Sequence, residues 1–198
     1  AVLDPVKLVI DNYPAGQEES CFAPNHPQRP ELDKRALPFS RELWIERDDY
    51  QEDAPQGYFR LAPGAEVRLR FAYIGRCVGA EKDAGGKVVA VHCTYDPATR
   101  SGTPGADARK VRGNIHWLSA AHAVPAEVRL YDHLFAEPFP EDVPEGADYR
   151  SNVNPASLEV VPDAMLEASL STARPGERFQ FERHGYFCAD AKDSRPGR

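Results

Sequence analysis

Glu66-Val67-Arg68-Leu69-Arg70-Phe71-Ala72-Tyr73 alternates apolar and polar side chains, the period-two signature of a strand with one dry and one wet face. A strand through this stretch turns Val67, Leu69, Phe71 and Tyr73 toward a core and Arg68 with Arg70 toward solvent. Carried on through Ile74, it meets Val88 to Tyr95 across Asp83-Ala84-Gly85-Gly86, and a connection that short requires antiparallel pairing. Outward from this hairpin the same period recurs. Val6, Leu8 and Ile10 share a face opposite Lys7 and Asp11, and further strands are expected at 42–46, 110–118, 127–132, 157–161 and 178–182. Eighteen prolines and fourteen glycines are spread along the chain, which suits short strands joined by turns and disfavours a helical bundle. The fold class expected is all-β. Asn12 to Leu37, rich in Pro, Gly and polar residues, reads as a long surface excursion, and Ala136 to Val153 reads as the most mobile loop.

Composition bounds the rest. With 198 residues, 41% of them apolar and 28% charged, the chain can bury one sizeable core or two small ones. No apolar run approaches the roughly 20 residues of a membrane span and no signal pattern opens the chain, so no membrane and a cytoplasmic location are expected. A net charge of −7 opposes nucleic-acid binding, since phosphate contacts need Lys and Arg. Binding depends on the local field, however. Arg60, Arg68, Arg70 and Arg76 fall close together while acids gather in Glu46 to Asp53 and Glu137 to Asp148, which leaves room for a basic patch on an acidic body. Cys21, Cys77, Cys93 and Cys188 have no Cys-x-x-Cys spacing and read as reduced, mostly buried thiols. Zinc on Cys21 with His26, or on His92 with Cys93, lacks a second ligand pair, so no metal is expected. No Gly-rich phosphate loop, Ser/His/Asp arrangement or nucleophile elbow occurs. Acid pairs such as Asp48-Asp49 read as solvated loop charges rather than groups tuned for acid–base work, so no catalytic residue is assigned.

Gly113-Asn114-Ile115-His116-Trp117-Leu118-Ser119-Ala120-Ala121-His122-Ala123-Val124-Pro125-Ala126-Glu127-Val128-Arg129-Leu130-Tyr131-Asp132 is too long and idiosyncratic for a generic strand. With Asp4-Pro5-Val6-Lys7-Leu8-Val9-Ile10, Pro38 to Arg47, Cys93-Thr94-Tyr95-Asp96 and Phe179 to Cys188, it resembles the anticodon-binding region of the glutaminyl-tRNA synthetase family, in the family's order and over nearly the whole chain. The resemblance implies two antiparallel β-barrels, each similar to the ribosomal protein barrel that binds 5S RNA: residues 1–112 and 113–198, with strands exchanged between them. It implies tRNA(Gln) as partner, a monomer, and a catalytic domain N-terminal to Ala1 where ATP and Mg²⁺ act; His-x-Gly-His and Lys-Met-Ser-Lys type sequences are absent here, and no cofactor is expected in this chain. The family's final strand, after a segment like Arg195-Pro196-Gly197, is also missing. Rival readings are a glutamyl-tRNA synthetase of the same subclass and a ribosomal or stress protein that binds 5S RNA.

Within that frame the arginines gain roles. Arg68 and Arg70 are two residues apart, roughly 6.6–6.8 Å along a strand, a spacing suited to neighbouring groups on single-stranded RNA, and a guanidinium fork can clamp a phosphate or a base edge. The same pattern also suits a solvated face whose arginines pair with acids. Tyr58 and Arg60 share a face opposite Phe59 and Leu61. The resemblance implies that Arg60 reads the third anticodon base, Arg70 the first, and Arg68 nearby backbone, while Gln180 and Arg183 read the middle uracil. A Gln amide offers a donor and an acceptor to the uracil edge. Residues three apart face opposite ways on a strand, so Gln180 and Arg183 can share a base only if the strand ends or bulges near Arg183-His184-Gly185. The chain departs from the family at Gly57 and Phe59, and Phe59 reads as core. Trp44, Trp117, Tyr73 and Tyr95 read as core aromatics rather than stacking platforms, and His116 and His122 as structural.

Overall fold

The computed structural model describes residues 1–195 apart from 27, 30 and 107; Pro196 and Gly197 of the Arg-Pro-Gly segment lie outside the described residues. Its strands are β1 (Pro5–Ile10), β2 (Glu19–Pro24), β3 (Lys34–Phe39), β4 (Glu42–Glu46), β5 (Glu66–Leu69), β6 (Ile74–Lys82), β7 (Val88–Asp96), β8 (Gly113–Ile115), β9 (Leu118–Ser119), β10 (Val124–Tyr131), β11 (Leu158–Leu166), β12 (Arg178–Phe181) and β13 (Gly185–Cys188). The described helices are single 3₁₀ segments, and none is long and apolar enough to cross a membrane. The fold is all-β: a curled sheet and several small antiparallel sheets, consistent with two barrel-like units.

The large sheet runs in the order β8-β5-β6-β7-β1-β4-β9. β1 lies inside it, antiparallel to β4 and parallel to β7, and its alternation buries Val6, Leu8 and Ile10 on the concave side. Lys7, on the opposite face, holds its ammonium 5.7 Å from the centre of the Trp44 ring. β5 and β8 are also parallel, so the sheet is mixed rather than purely antiparallel; residue alternation carries no information about strand direction. At the heart of the core, the ring of Phe39 packs 5.1 Å from Trp117 and 5.3 Å from Tyr73, and Tyr73 packs 4.9 Å from Tyr95. Buried aromatic polar tips need partners. Tyr13 and Tyr73 both donate to Glu19 Oε1, and Trp117 Nε1 donates to the Arg70 carbonyl.

Three expectations are corrected. Asn12 to Leu37 is not one long loop: it contains β2 and most of β3, paired in register from Glu19↔Phe39 to Pro24↔Lys34. Cys21 and Ala23 face the core from β2, and Leu37 and Phe39 from β3, but Pro24 and Pro38 disguise the strands. The 66–74 stretch is not a single strand either. β5 ends at Leu69, the chain turns with Phe71 at φ +65°, and the hairpin proper joins β6 to β7. The turn is tied by Ala72 N–H to Leu69 O and Arg70 N–H to Ile115 O. Finally, 110–118 breaks into β8 and β9. β8 pairs with β5, and β9 with β4, so residues just after 112 complete the large sheet.

The remaining strands form two ribbons, β10–β11 and β12–β13, flanking an open groove of about 1000 Å³. Their apolar contacts are fewer; Phe181 and Phe187 stack at 4.3 Å across β12–β13. Ala136 to Val153 carries a 3₁₀ turn, Tyr149–Asn152, closed by a Phe135↔Val153 bridge.

Gly113 opens β8 where a Cβ would lie 2.1 Å from the Phe59 carbonyl oxygen and 2.7 Å from Val67 Cγ1. Gly113→Ala should therefore destabilise the fold by about 3 kcal/mol, the upper range of overpacking costs, measured by urea denaturation. His92 on β7 hydrogen-bonds Asp11 beyond β1 at 2.8 Å, and that bond raises its pKa above the ordinary histidine value. Stability from a raised histidine is fully present below the unfolded value near 6.5 and is lost as pH rises through the folded one. Stability should thus fall as pH rises above the unfolded value of about 6.5, by less than the ~1 kcal/mol of an exposed pair, and His92→Asn should flatten that slope.

Candidate nucleic-acid interface

The one-turn helix Arg47–Asp49 leaves β4 and carries Asp49 into the interior, where it is 0% exposed. It is no solvated loop charge. A carboxylate without water needs cations and hydrogen bonds, and here both oxygens accept from the fork of Arg183: Nη1 to Oδ1 at 2.6 Å and Nη2 to Oδ2 at 2.7 Å. Arg60 approaches the same carboxylate, with Nε 3.5 Å from Oδ1. Arg60 Nη1 and the Tyr58 hydroxyl both donate to the Asp48 carbonyl, which holds Tyr58 and Arg60 on one side. Burial first, then the Asp49 charge, pushes the Tyr58 phenol up to about 12, so it stays a neutral donor.

Arg183 sits in the turn between β12 and β13 with φ +68°, an uncommon backbone for a residue with a Cβ. β12 ends at Phe181, so the alternation of the strand does not carry through to Arg183. Gln180 is exposed on β12, opposite Tyr186 of β13, itself 85% exposed. The same turn presents Glu182 to Arg70 in a short ion pair, and His184 Nε2 lies 2.7 Å from Glu46 Oε1. Glu46, at the end of β4, also accepts the backbone N–H groups of Leu3 and Asp4. Three of the five candidate residues, Arg60, Arg70 and Arg183, are thus held at one junction between the large sheet and the β12–β13 hairpin. Their side chains are 39%, 34% and 30% exposed, and each guanidinium has donors beyond those spent on its acid.

Arg68 does not join them. The chain turns at Arg70, so the two guanidiniums diverge. Arg68 reaches the other way, donating from Nη1 to Thr99 O at 2.9 Å and Ser101 Oγ at 3.2 Å and from Nη2 to Ala106 O at 3.0 Å. It clamps the loop after β7. Phe59 is also corrected: it is 49% exposed rather than core, because the chain from 57 to 60 is not a strand, and the Arg112 guanidinium lies 5.1 Å from its ring centre. Trp117 and Tyr73 are buried as expected, as are Cys21, Cys77 and Cys93, while Cys188 is exposed. Burial holds the His116 pKa well below the ordinary value, so it stays neutral. Among the described residues no three His, Cys, Asp or Glu side chains group as a metal site would. Asp49 and Glu182 were invisible as organisers in the sequence; nothing local separates Asp49 from Asp48, and only the arginines that resemblance singled out could have prompted a search for their acids.

Residues 1–96 match the family described as tRNA synthetases class I (E and Q), anti-codon binding domain, and residues 114–190 match a second family of that description. The chain belongs to these anticodon-binding domains of class I tRNA synthetases. Over its length it is similar to glutamine--tRNA ligase of Cupriavidus metallidurans, 59% identical over all of this chain and 34% of the relative. The glutamine--tRNA ligase of Nitrosomonas europaea is 56% identical over all of this chain and 35% of the relative; that of Bordetella pertussis is 55% identical over 99% of this chain and 33% of the relative. The chain spans about a third of the length of these curated relatives.

Removing the Arg68 clamp strands two loop carbonyls. Arg68→Ala should cost about 1–3 kcal/mol of stability, measured by urea denaturation, with amide exchange accelerated first in residues 99–106.

Proposed function

We propose that the chain is the anticodon-reading part of a glutamine–tRNA ligase and that it selects tRNA(Gln) by splaying the anticodon bases into separate contacts. The observation that carries this reading is the junction where Arg60, Arg70 and Arg183 converge with donors to spare, beside an exposed Gln180. Arg60 reads the third base, Arg70 the first, and Gln180 with Arg183 the middle uracil, whose N–H and C=O edge an amide complements. Arg68 adds a backbone contact from the donors its clamp leaves over. The names of relatives 55–59% identical over essentially the whole chain support glutamine rather than glutamate as the amino acid. The two barrels are residues 1–112 and 113–198, the first completed by strands from the second. Catalysis belongs to a domain N-terminal to Ala1, where ATP and Mg²⁺ act; the protein works in the cytoplasm as a monomer, and these residues supply selection.

The test is aminoacylation by the ligase that contains this chain. Gln180→Ala should lower charging of tRNA(Gln) and narrow its advantage over a middle-base variant by about 1–3 kcal/mol, the value of one base-edge contact. An unchanged ratio of kcat/KM for the two middle bases would remove Gln180 from the reading.

A further inference from the structure

Asp49 is the one fully buried acid at the junction, and its surroundings assign it more than a packing role. The full Arg183 fork rests on it, and Arg60 Nε stands 3.5 Å from the oxygen that Arg183 Nη1 already occupies. A carboxylate removed from water in this way fixes its cations, because losing them leaves an uncompensated buried charge. The consequence is visible at Arg183, whose left-handed backbone, φ +68°, persists only where the surroundings over-determine it. The fork spends two of the five guanidinium donors on Asp49, leaving the others in a plane set by the carboxylate. Arg70 is anchored separately, on Glu182.

Resting on the roles proposed above for Arg60 and Arg183, we infer that Asp49 is a positioning residue that couples recognition of the middle and third anticodon bases. It touches neither base. It holds both reading guanidiniums on one buried carboxylate, so the orientation of each depends on the same anchor. Recognition of the first base, through Arg70 and Glu182, is independent of it. A residue with a purely structural role would weaken binding of every RNA alike; a shared anchor produces selective loss at two positions and leaves the third intact.

Fluorescence anisotropy with labelled anticodon stem-loops tests this on the ligase that contains this chain, using the matched loop and three loops changed at the first, middle or third anticodon base. Asp49→Asn keeps the volume but puts an amide donor against a guanidinium. It should shrink the affinity ratios for the middle and third bases together, each by roughly 5- to 150-fold at most, the range of one base-edge contact, with the first-base ratio unchanged. Arg60→Ala should shrink the third-base ratio and Arg183→Ala the middle-base ratio. If those two variants behave so while Asp49→Asn keeps both ratios, the coupling is wrong and the base assignments stand. If Asp49→Asn weakens all loops equally, or lowers the first-base ratio as much as the others, its role is structural and the inference fails. If neither arginine variant changes its ratio, the base assignments fail and the inference goes with them. Thermal unfolding checks that each variant is folded. Should Asp49→Asn not fold, Asp49→Glu, which keeps the charge but shifts it by one methylene, must show the same two-position loss in milder form or the inference is overturned.

Discussion

A carboxylate with no access to water constrains everything near it. Asp49 is delivered to the interior by the turn that follows β4, where both its oxygens meet the guanidinium of Arg183, which arrives from more than a hundred residues later in the chain. Burying such a pair adds little net stability against an apolar alternative, but breaking one half of it is expensive. Its value lies in specifying position. It is one of several separate ties between the β12–β13 hairpin and the rest of the chain, beside Glu182 with Arg70 and His184 with Glu46. Two other ties place the end of β11, the Val2↔Met165 bridge and the Arg35–Glu167 ion pair. The small ribbons bury few apolar side chains of their own, so polar links such as these define their placement.

The large sheet supplies the rigid side of the junction. β1 is flanked by partners on both edges, and the Tyr73, Phe39 and Trp117 rings fill the space behind it. Trp117 does double duty: its ring packs in the core while its indole N–H takes the carbonyl of Arg70. The backbone of Arg70 is thereby anchored by a core side chain and by Ile115 of β8, while its guanidinium faces out to Glu182. A residue held this way at the backbone presents its charge from a fixed position.

The legible part of the fold was whatever depended on alternation. β1 and β4 follow a clean period of two, and the all-β class follows from such strands. The β2–β3 ribbon was hidden because two of its strand positions are prolines, which normally argue against a central strand and are tolerated here because each strand of this two-stranded sheet is paired on one side only. The end of β5 at Leu69 was hidden for a different reason: Phe71 continues the apolar pattern perfectly, yet its backbone is left-handed, and hydrophobic periodicity is blind to φ. That single turn decides the fate of two candidates, sending Arg68 inward to the Thr99 and Ala106 carbonyls and leaving Arg70 at the junction. Resemblance to a family marked the arginines; it said nothing of Asp49, because a buried acid and a solvated one are the same letter.

The negative charge of the chain, at first an objection to RNA binding, takes on a different sense beside this geometry. Arginines free of acids would form a basic patch that attracts any phosphate backbone, and such attraction carries no sequence information. Here Arg60, Arg70 and Arg183 each lean on a carboxylate, which subtracts long-range attraction, and the two-point contact of Arg183 fixes the plane of its fork. Encounter is slower under that arrangement, since steering depends on net field. What remains is directional: donors already held, with little side-chain entropy left to lose on binding. Under the proposed function, aimed donors serve selection better than free charge, because discrimination is a difference between cognate and non-cognate contacts, and a uniform attraction cancels from that difference.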